Sequence, residues 1–423
     1  MTNLVSMVLV MTQQSNRRAL VVGMGISGIA TATRLHAAGW TPVIVERSPQ
    51  RRRGGYFIAL FGAGKIAAQR LGMMDHLHDR KSKAGGYALD RRGNKRPSMT
   101  YGDVPGSPWL MLRGDVEAAA YAGLPSDLEI RFGTVPTAIT QDADGVDVTL
   151  LDTAAQMSTT ERFDLVVGSD GLRSTVRALT FGPHEDYLQR LNHMIVAFEY
   201  PGTALPGLKP GEAAMLHEVG RSMMVFAFED HGPSILLTYR TDDVDAEFTQ
   251  TPGQRLRAVF GPKNLGTTLS AVIDAVDTAE AVLFDSAEQV HLDTWSQGRV
   301  VLVGDSAWCT TLYAGMGVSA GLVGADLLGS MLERHPDDVP AALRDWEKNL
   351  RPYVDEYQKM GHVQRRFFVQ DTRLEMLIQK ALPKLMKNPL GERLFGRFKP
   401  NRGGATDADI VGITTDQSAP ALV

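Results

Sequence analysis

A chain of 423 residues, 43% hydrophobic and 22% charged, is long enough to bury a large core and to divide into two domains. Its 44 basic and 48 acidic residues leave a net charge of −4 without a long basic block, which argues against nucleic acid as the main partner. The single cysteine, Cys309, excludes an intrachain disulfide and a cysteine-cluster metal site, and fits the reducing cytoplasm.

The first sixteen residues carry the apolar run Leu4–Met11 with no basic residue before it. That run is far shorter than a membrane span, so residues 1–16 are expected to be a disordered extension, with Met11 an alternative start. Ala19-Leu20-Val21-Val22 then reads as a buried parallel strand leading into Gly23-Met24-Gly25-Ile26-Ser27-Gly28. The spacing of Ile26, Ile29, Ala30 and Leu35 predicts a helix, which Gly39 and Pro42 end. A second apolar strand closes on Glu46, 23 residues after Gly23, with Arg47 beside it. Each part has a physical task in holding a dinucleotide. Gly23 permits the tight turn, Gly25 lets the backbone approach a pyrophosphate, and Gly28 lets helix and strand pack closely. The helix start at Ile26 and Ser27 offers unpaired N–H groups and the positive dipole end, and Glu46 can accept from ribose hydroxyls. Strand, glycines, helix, strand and acid in this register predict binding of an adenine dinucleotide.

Ser48 to Gly55 is Arg-rich and polar and reads as a loop, and Gly62 to Leu77 reads as a helix. Asp144-Gly145 between two alternating runs predicts a hairpin. Phe163–Gly168 predicts another buried strand, ending at Asp170-Gly171. From residue 187 to 290 the pattern changes to longer amphipathic strands, interrupted by helical spacing at Gln254–Phe260 and Leu269–Val276. That stretch predicts an antiparallel sheet with helices on one face, where Met215, Met223, Phe226 and Phe228 suit an apolar sheet surface. Val300–Val303 returns to a buried strand ending at Gly304-Asp305, Val318 to Leu332 predicts a helix rich in small residues, and Ala341 to Met386 is strongly helical. The tail from Asn401 is polar and is expected to be disordered.

Three segments now stand in order: the glycine turn with Glu46; Gly168-Ser169-Asp170-Gly171-Leu172-Arg173-Ser174 with Arg177; and Gly304-Asp305-Ser306-Ala307 followed by Ala314-Gly315-Met316-Gly317-Val318-Ser319. Together they resemble the single-component flavoprotein aromatic hydroxylases, the class A FAD monooxygenases of the p-hydroxybenzoate hydroxylase type. Within that family the chain looks most like the branch holding tetracycline-inactivating and polyketide-tailoring enzymes. The resemblance covers about residues 17 to 370.

It implies an α/β fold: a Rossmann-like FAD-binding domain (17–186 and 291–333), a second domain of antiparallel sheet plus helices (187–290), a long C-terminal helix within a helical segment (334–400), and disordered tails at 1–16 and 401–423. It implies noncovalent FAD held by Gly23, Gly25, Ile26, Ser27, Gly28, Glu46, Arg47, Arg113, Asp170, Gly171, Asp305, Gly315, Gly317 and Val318, with no metal. Physically, Asp305 suits a ribityl hydroxyl, Arg113 an anionic pyrophosphate or the flavin ribityl region, and the helix starting near Val318 the negative charge of reduced flavin. NAD(P)H is implied as a transient co-substrate that docks near Asp170 and Arg177, and O2 as the oxidant, through a flavin C4a-hydroperoxide. The substrate implied is an aromatic or polyketide-type small molecule, in an enzyme of the cytoplasm without a membrane span.

The sequence departs from the family at three places. Trp308 replaces the histidine of the third motif, Thr310-Thr311-Leu312 replaces the usual proline region, and Ser319 replaces an asparagine. Trp308 is then either a core aromatic or a wall beside the cofactor. No catalytic base is assigned, with His217, Tyr239 and Arg240 the candidates in the second domain. An FAD-dependent reductase of the same fold and a flavin-binding protein without turnover are the alternative readings.

Overall fold

The computed structural model describes residues 17–51, 54–103, 107–261, 264–377 and 409–415. Its first sheet runs, edge to edge, Ser296–Gln297, Val300–Leu302, Leu165–Gly168, Arg18–Val22, Thr41–Glu46, Glu129–Phe132. The pairs are parallel except for the outermost pair, 296–297 with 300–302. Leu20, Val21, Ile44, Val166 and Val301 are wholly buried, as strands covered on both faces require. The helix Ile26–Ala37 lies against the helix Gly317–Arg334, so the first and third motifs are neighbours. Gly39, with φ +81°, ends the first helix, whereas Pro42 already belongs to the second strand.

The hairpin at Asp144-Gly145 joins Thr134–Gln141 to Val146–Asp152, and Met157–Phe163 adds a third strand. Asp142 fixes the turn by accepting the N–H groups of Asp144 and Gly145 at 2.8 and 3.0 Å. The helix expected from Gly62 to Leu77 stops at Arg70, because Gly72 turns left-handed (φ +70°), and a short 3-10 turn follows at Met74–His76.

A seven-stranded sheet follows the order Val282–Val290, Leu188–Glu199, Ser234–Arg240, Arg221–Phe226, Ala213–Glu218, Gly86–Leu89, Lys95–Ser98. Its last two strands come from between the early elements of the first sheet, so the chain crosses to this layer twice. The helices Pro252–Phe260 and Gly266–Val276 cover one face, and Tyr313 and Phe368 pack on the other. The period of two divides the apolar set read as one surface. Met223, opposite Leu216, turns to the helices, while Met215, Met224 and Phe226 face the opposite side. Phe228 lies beyond the strand end, near Phe57.

Asp338 caps the long helix Val339–Phe368 by accepting the Ala341 N–H at 2.9 Å. The helical reading beyond residue 377 lies outside the described residues, as does the extension 1–16. The tail expected to be disordered contains one ordered piece. Ile410–Thr415 is helical, Ile410 and Val411 are buried, and Asp409 takes a two-pronged ion pair from Arg70 at 2.6 and 2.7 Å. Two apolar side chains beside one paired acid suffice to dock a segment that composition marks as polar.

Candidate functional site

The glycine turn divides its labour as its spacing predicts. Gly23 has φ +101°, and a Cβ there would stand 2.6 Å from the Ser169 carbonyl oxygen. A Cβ on Gly28 would stand 2.0 Å from the Gly23 carbonyl oxygen, so close packing requires glycine here. Gly25 differs: its backbone is extended (φ −78°), and a Cβ would meet nothing within 4 Å. Open space at the N-cap of a twelve-residue helix, with no side chain capping it and no acid in its first turn, is a cradle for an anion. Ile26 is buried, and Ser27 lies between Gly304 and Gly321, where Cβ atoms would approach its Oγ to 2.5 and 2.3 Å. Glu46 braces the turn by accepting the Met24 and Ser48 N–H groups, each at 2.8 Å, and Arg47 beside it is exposed.

Beyond the ends of the 41–46 and 129–132 strands opens a cleft of about 610 Å³. Phe132, aligned with Glu46, lines it together with Gln50, Arg51, Leu112, Tyr121 and Glu199, and the Arg51 guanidinium lies 3.9 Å over the Tyr121 ring. This is the carboxyl edge of the parallel sheet, where such folds bind ligands.

The second and third motifs lock together through Ser306, whose Oγ accepts the Gly171 N–H at 2.9 Å. Asp170 accepts Ser174 Oγ at 2.5 Å and the Thr175 N–H at 2.6 Å, so its carboxylate fastens the following helix. Burial raises its pKa, and these hydrogen bonds oppose the rise. Arg177 is wholly buried and donates to the Leu172 and Ser306 carbonyls at 2.7 and 2.9 Å. Arg177, expected beside the NAD(P)H groove, therefore presents no exposed charge: its guanidinium is an internal brace between the second and third motifs.

Asp305 reaches solvent yet stands deep among protein atoms. That desolvation raises its pKa, while the Arg113 charge opposes the rise. Arg113 pairs with Glu117 at 2.6 Å, and its backbone N–H holds the Tyr56 carbonyl at 2.9 Å. Burial raises the pKa of the Tyr56 phenol, with Arg113 opposing and Asp305 reinforcing. Asp305, Arg113 and Tyr56 thus meet at one place, and Tyr56 is a member that sequence spacing gave no signal to find. Gly315 is left-handed (φ +66°), and a Cβ there would strike Tyr101 Oη at 2.5 Å. Gly317 faces only Asp305 Oδ1, at 3.9 Å, and opens an eighteen-residue helix whose first turn holds Val318 and no side-chain cap. Two uncapped helix starts, Arg113 and an open glycine cradle fit a phosphate-bearing dinucleotide.

The comparisons decide which dinucleotide. The family model described as FAD binding domain matches residues 17–336. The chain belongs to this family. A flavin-dependent monooxygenase from an unknown prokaryotic organism is 26% identical over 374 residues, covering 86% of this chain and 93% of the relative. The crystal structure of tetracycline destructase Tet(51) is 25% identical with TM-score 0.71, covering 85% of this chain and 94% of that one. Klebsiella pneumoniae HpxO, complexed with FAD and uric acid, is 20% identical with TM-score 0.68, covering 91% and 96%, and shares the fold. The cofactor of this chain is FAD, and the chain is a flavoprotein monooxygenase.

The departures from the family pattern find their places. Trp308 is a core aromatic, 1% exposed, in a cluster with Trp295 and Trp346 at ring separations of 4.7 and 5.8 Å. Cys309 is buried, and burial followed by Asp305 drives its thiol pKa well up. Of the candidate bases, Tyr239 donates to Glu247 on the helix side at 2.7 Å, Arg240 pairs with Asp242 at the surface, and His217 bonds Gln370 at 3.2 Å. Among the described residues no helix is long and apolar enough to cross a membrane.

Proposed function

We propose that the chain takes electrons from NAD(P)H and hydroxylates an aromatic or polyketide-type small molecule bound between the flavin loop and the seven-stranded sheet. FAD, when bound and reduced, supplies the oxygen-activating chemistry. The chain's residues hold it by the roles proposed for the glycine turn, Glu46, Arg47, Arg113, Asp170-Gly171, Asp305 and the Gly315–Val318 loop. One observation carries the substrate reading: an aromatic wall stands beside that loop. Phe57 and Phe226 stack at 3.8 Å, Tyr101 meets Phe57 edge-on at 5.1 Å, and Tyr101 Oη touches the space over Gly315. Such a wall suits a flat, electron-rich ring and excludes water from it. Tetracycline, named in one structural relative, belongs to this chemical class. The lone buried thiol supports a reducing compartment such as the cytoplasm.

Among the described residues the glycine-turn βαβ unit has no second copy for a nicotinamide, so NAD(P)H docks transiently. Flavin reduction is then slow alone and accelerates with substrate. Stopped-flow reduction under nitrogen, with and without phenols, naphthoquinones or tetracyclines, followed by O2 uptake, tests this. Equal reduction rates, or NADPH oxidation that no compound couples to hydroxylated product, would overturn it.

A further inference from the structure

Thr311 begins the stretch that leads to Gly315 and Gly317, and its backbone is strained. With φ +67° and ψ 158° it occupies a region that only glycine enters readily. Ser107, Gln156 and Asn192 also have positive φ among the described residues, but they are exposed and none is branched at Cβ. Thr311 is both buried and β-branched. A proline, usual in this region of the family, is locked at about −65° and is barred from that conformation. A residue so placed costs its loop about 5- to 150-fold in conformational equilibrium, and it persists only where surrounding contacts outweigh that cost.

Those contacts grip the chain on either side of Thr311. Before it, the Cys309 carbonyl accepts the Val290 N–H at 3.2 Å and the Thr310 carbonyl accepts from Gln289 Nε2 at 3.4 Å. Gly361 of the long helix approaches so closely that a Cβ there would stand 2.5 Å from the Thr310 oxygen. After it, Thr311 Oγ1 accepts the Tyr313 N–H at 3.1 Å, and Tyr313 is wholly buried with its ring 5.0 Å from that of Phe368. The Tyr313 hydroxyl shares a 2.7 Å hydrogen bond with Thr238, which is wholly buried on an inner strand of the seven-stranded sheet. The edge strand and the long helix hold one side and the inner sheet holds the other, so Thr311 relaxes only if one grip is released.

Resting on the reading that the Gly315–Val318 loop holds FAD, we propose that Thr311 and Tyr313 are positioning residues for the flavin. The Tyr313–Thr238 bond latches the loop to the sheet and holds Thr311 in its strained form. It thereby fixes the Gly315–Gly317 cradle against the sheet that carries Phe226. The stiffness that a proline ring would supply comes here from one hydrogen bond between two layers.

The test melts the full-length apoprotein and titrates it with FAD, reading Kd from flavin fluorescence. Tyr313→Phe keeps the ring and removes the latch, so FAD should bind about tenfold more weakly. Thr311→Gly should melt several degrees above the wild type, because the strain relieved exceeds glycine's extra freedom in the unfolded chain. Thr311→Ala keeps the strain, loses the Oγ1 acceptor and should melt lower. Rescue is the deciding readout: in the Thr311→Gly background, removing the Tyr313 hydroxyl should weaken FAD by less than about threefold, since no strain is left for the latch to hold. Equal losses in both backgrounds, no loss in Tyr313→Phe, or a Thr311→Gly apoprotein melting at or below the wild type overturns the proposal. Should Tyr313→Phe fail to fold, Thr238→Val removes the same bond and is read in the same two backgrounds. Gly317→Val tests the underlying reading separately, since wild-type FAD binding by that variant counts against the loop as the cradle. The latch is then decided by the apoprotein melts, where Thr311→Gly must offset the midpoint lost in Tyr313→Phe, and no offset overturns it.

Discussion

Substituting two glycines of one turn by alanine should separate folding from cofactor binding. At Gly25 the new Cβ enters open space with the backbone already extended, so the apoprotein keeps its stability to within about 1 kcal/mol. The same methyl group stands where a pyrophosphate must approach the first-turn N–H groups. Losing charge-assisted hydrogen bonding worth about 2.7 kcal/mol, from one or two bonds of about 1.5–3 kcal/mol each, weakens FAD about 100-fold. With FAD at 100 times the wild-type Kd, ligand stabilisation then falls from about 2.7 to about 0.4 kcal/mol. Gly28→Ala does the reverse. Its Cβ would lie 2.0 Å from the Gly23 carbonyl oxygen and 2.6 Å from Ser169 Oγ, and backbone cannot move aside cheaply. The apoprotein should lose roughly 1–3 kcal/mol or more. Urea melts of both apoproteins, with and without FAD, read the two effects separately. Wild-type FAD retention by Gly25→Ala, or an apoprotein as weakened as Gly28→Ala, would refute the assignment of the cradle.

Arg177→Met should destabilise the protein by about 1–3 kcal/mol for each carbonyl it strands, those of Ser306 and Leu172; a wild-type melt with slowed NADPH reduction would instead restore a docking role. Trp308→Ala should cost about 3–5 kcal/mol as a cavity among Trp295 and Trp346, measured by the same melts. Glu218 and Glu161 lie below their ordinary pKa, held first by hydrogen bonds from Arg91 and Arg131 respectively. The unfolded chain therefore binds their protons more readily, and their contribution is full above about pH 5 and lost as pH falls through about 4 and below. Glu218→Gln should flatten that acid limb in urea melts between pH 3 and 7, and an unchanged slope would count against the pairing. Cys309, with its pKa driven up by burial, should react with a thiol reagent only after unfolding; prompt reaction in the native protein would contradict its burial.

The amino-acid order by itself determined the dinucleotide unit. Gly23, Gly25, Gly28 and Glu46 act within one βαβ turn, where the partners are a few residues apart and the glycine positions follow from local geometry. It also determined the hairpin at Asp144-Gly145 and the helical stretches 254–260 and 269–276, which the structure extends to 252–260 and 266–276, because turn chemistry and helical spacing are local. Only the tertiary structure decided which face each strand residue meets, and a parity error of one residue misplaced Met223. It made Arg177, expected near the NAD(P)H groove, a buried brace and set Trp308 among two distant tryptophans. It also carried the strands at 86–98 into the second sheet. Thr238 and Tyr313 carry no shared motif, since they lie far apart in the chain and meet only through a 2.7 Å hydrogen bond in the folded protein. Local chemistry is written in neighbouring residues, whereas burial and orphaned polar atoms depend on what the rest of the chain brings against them.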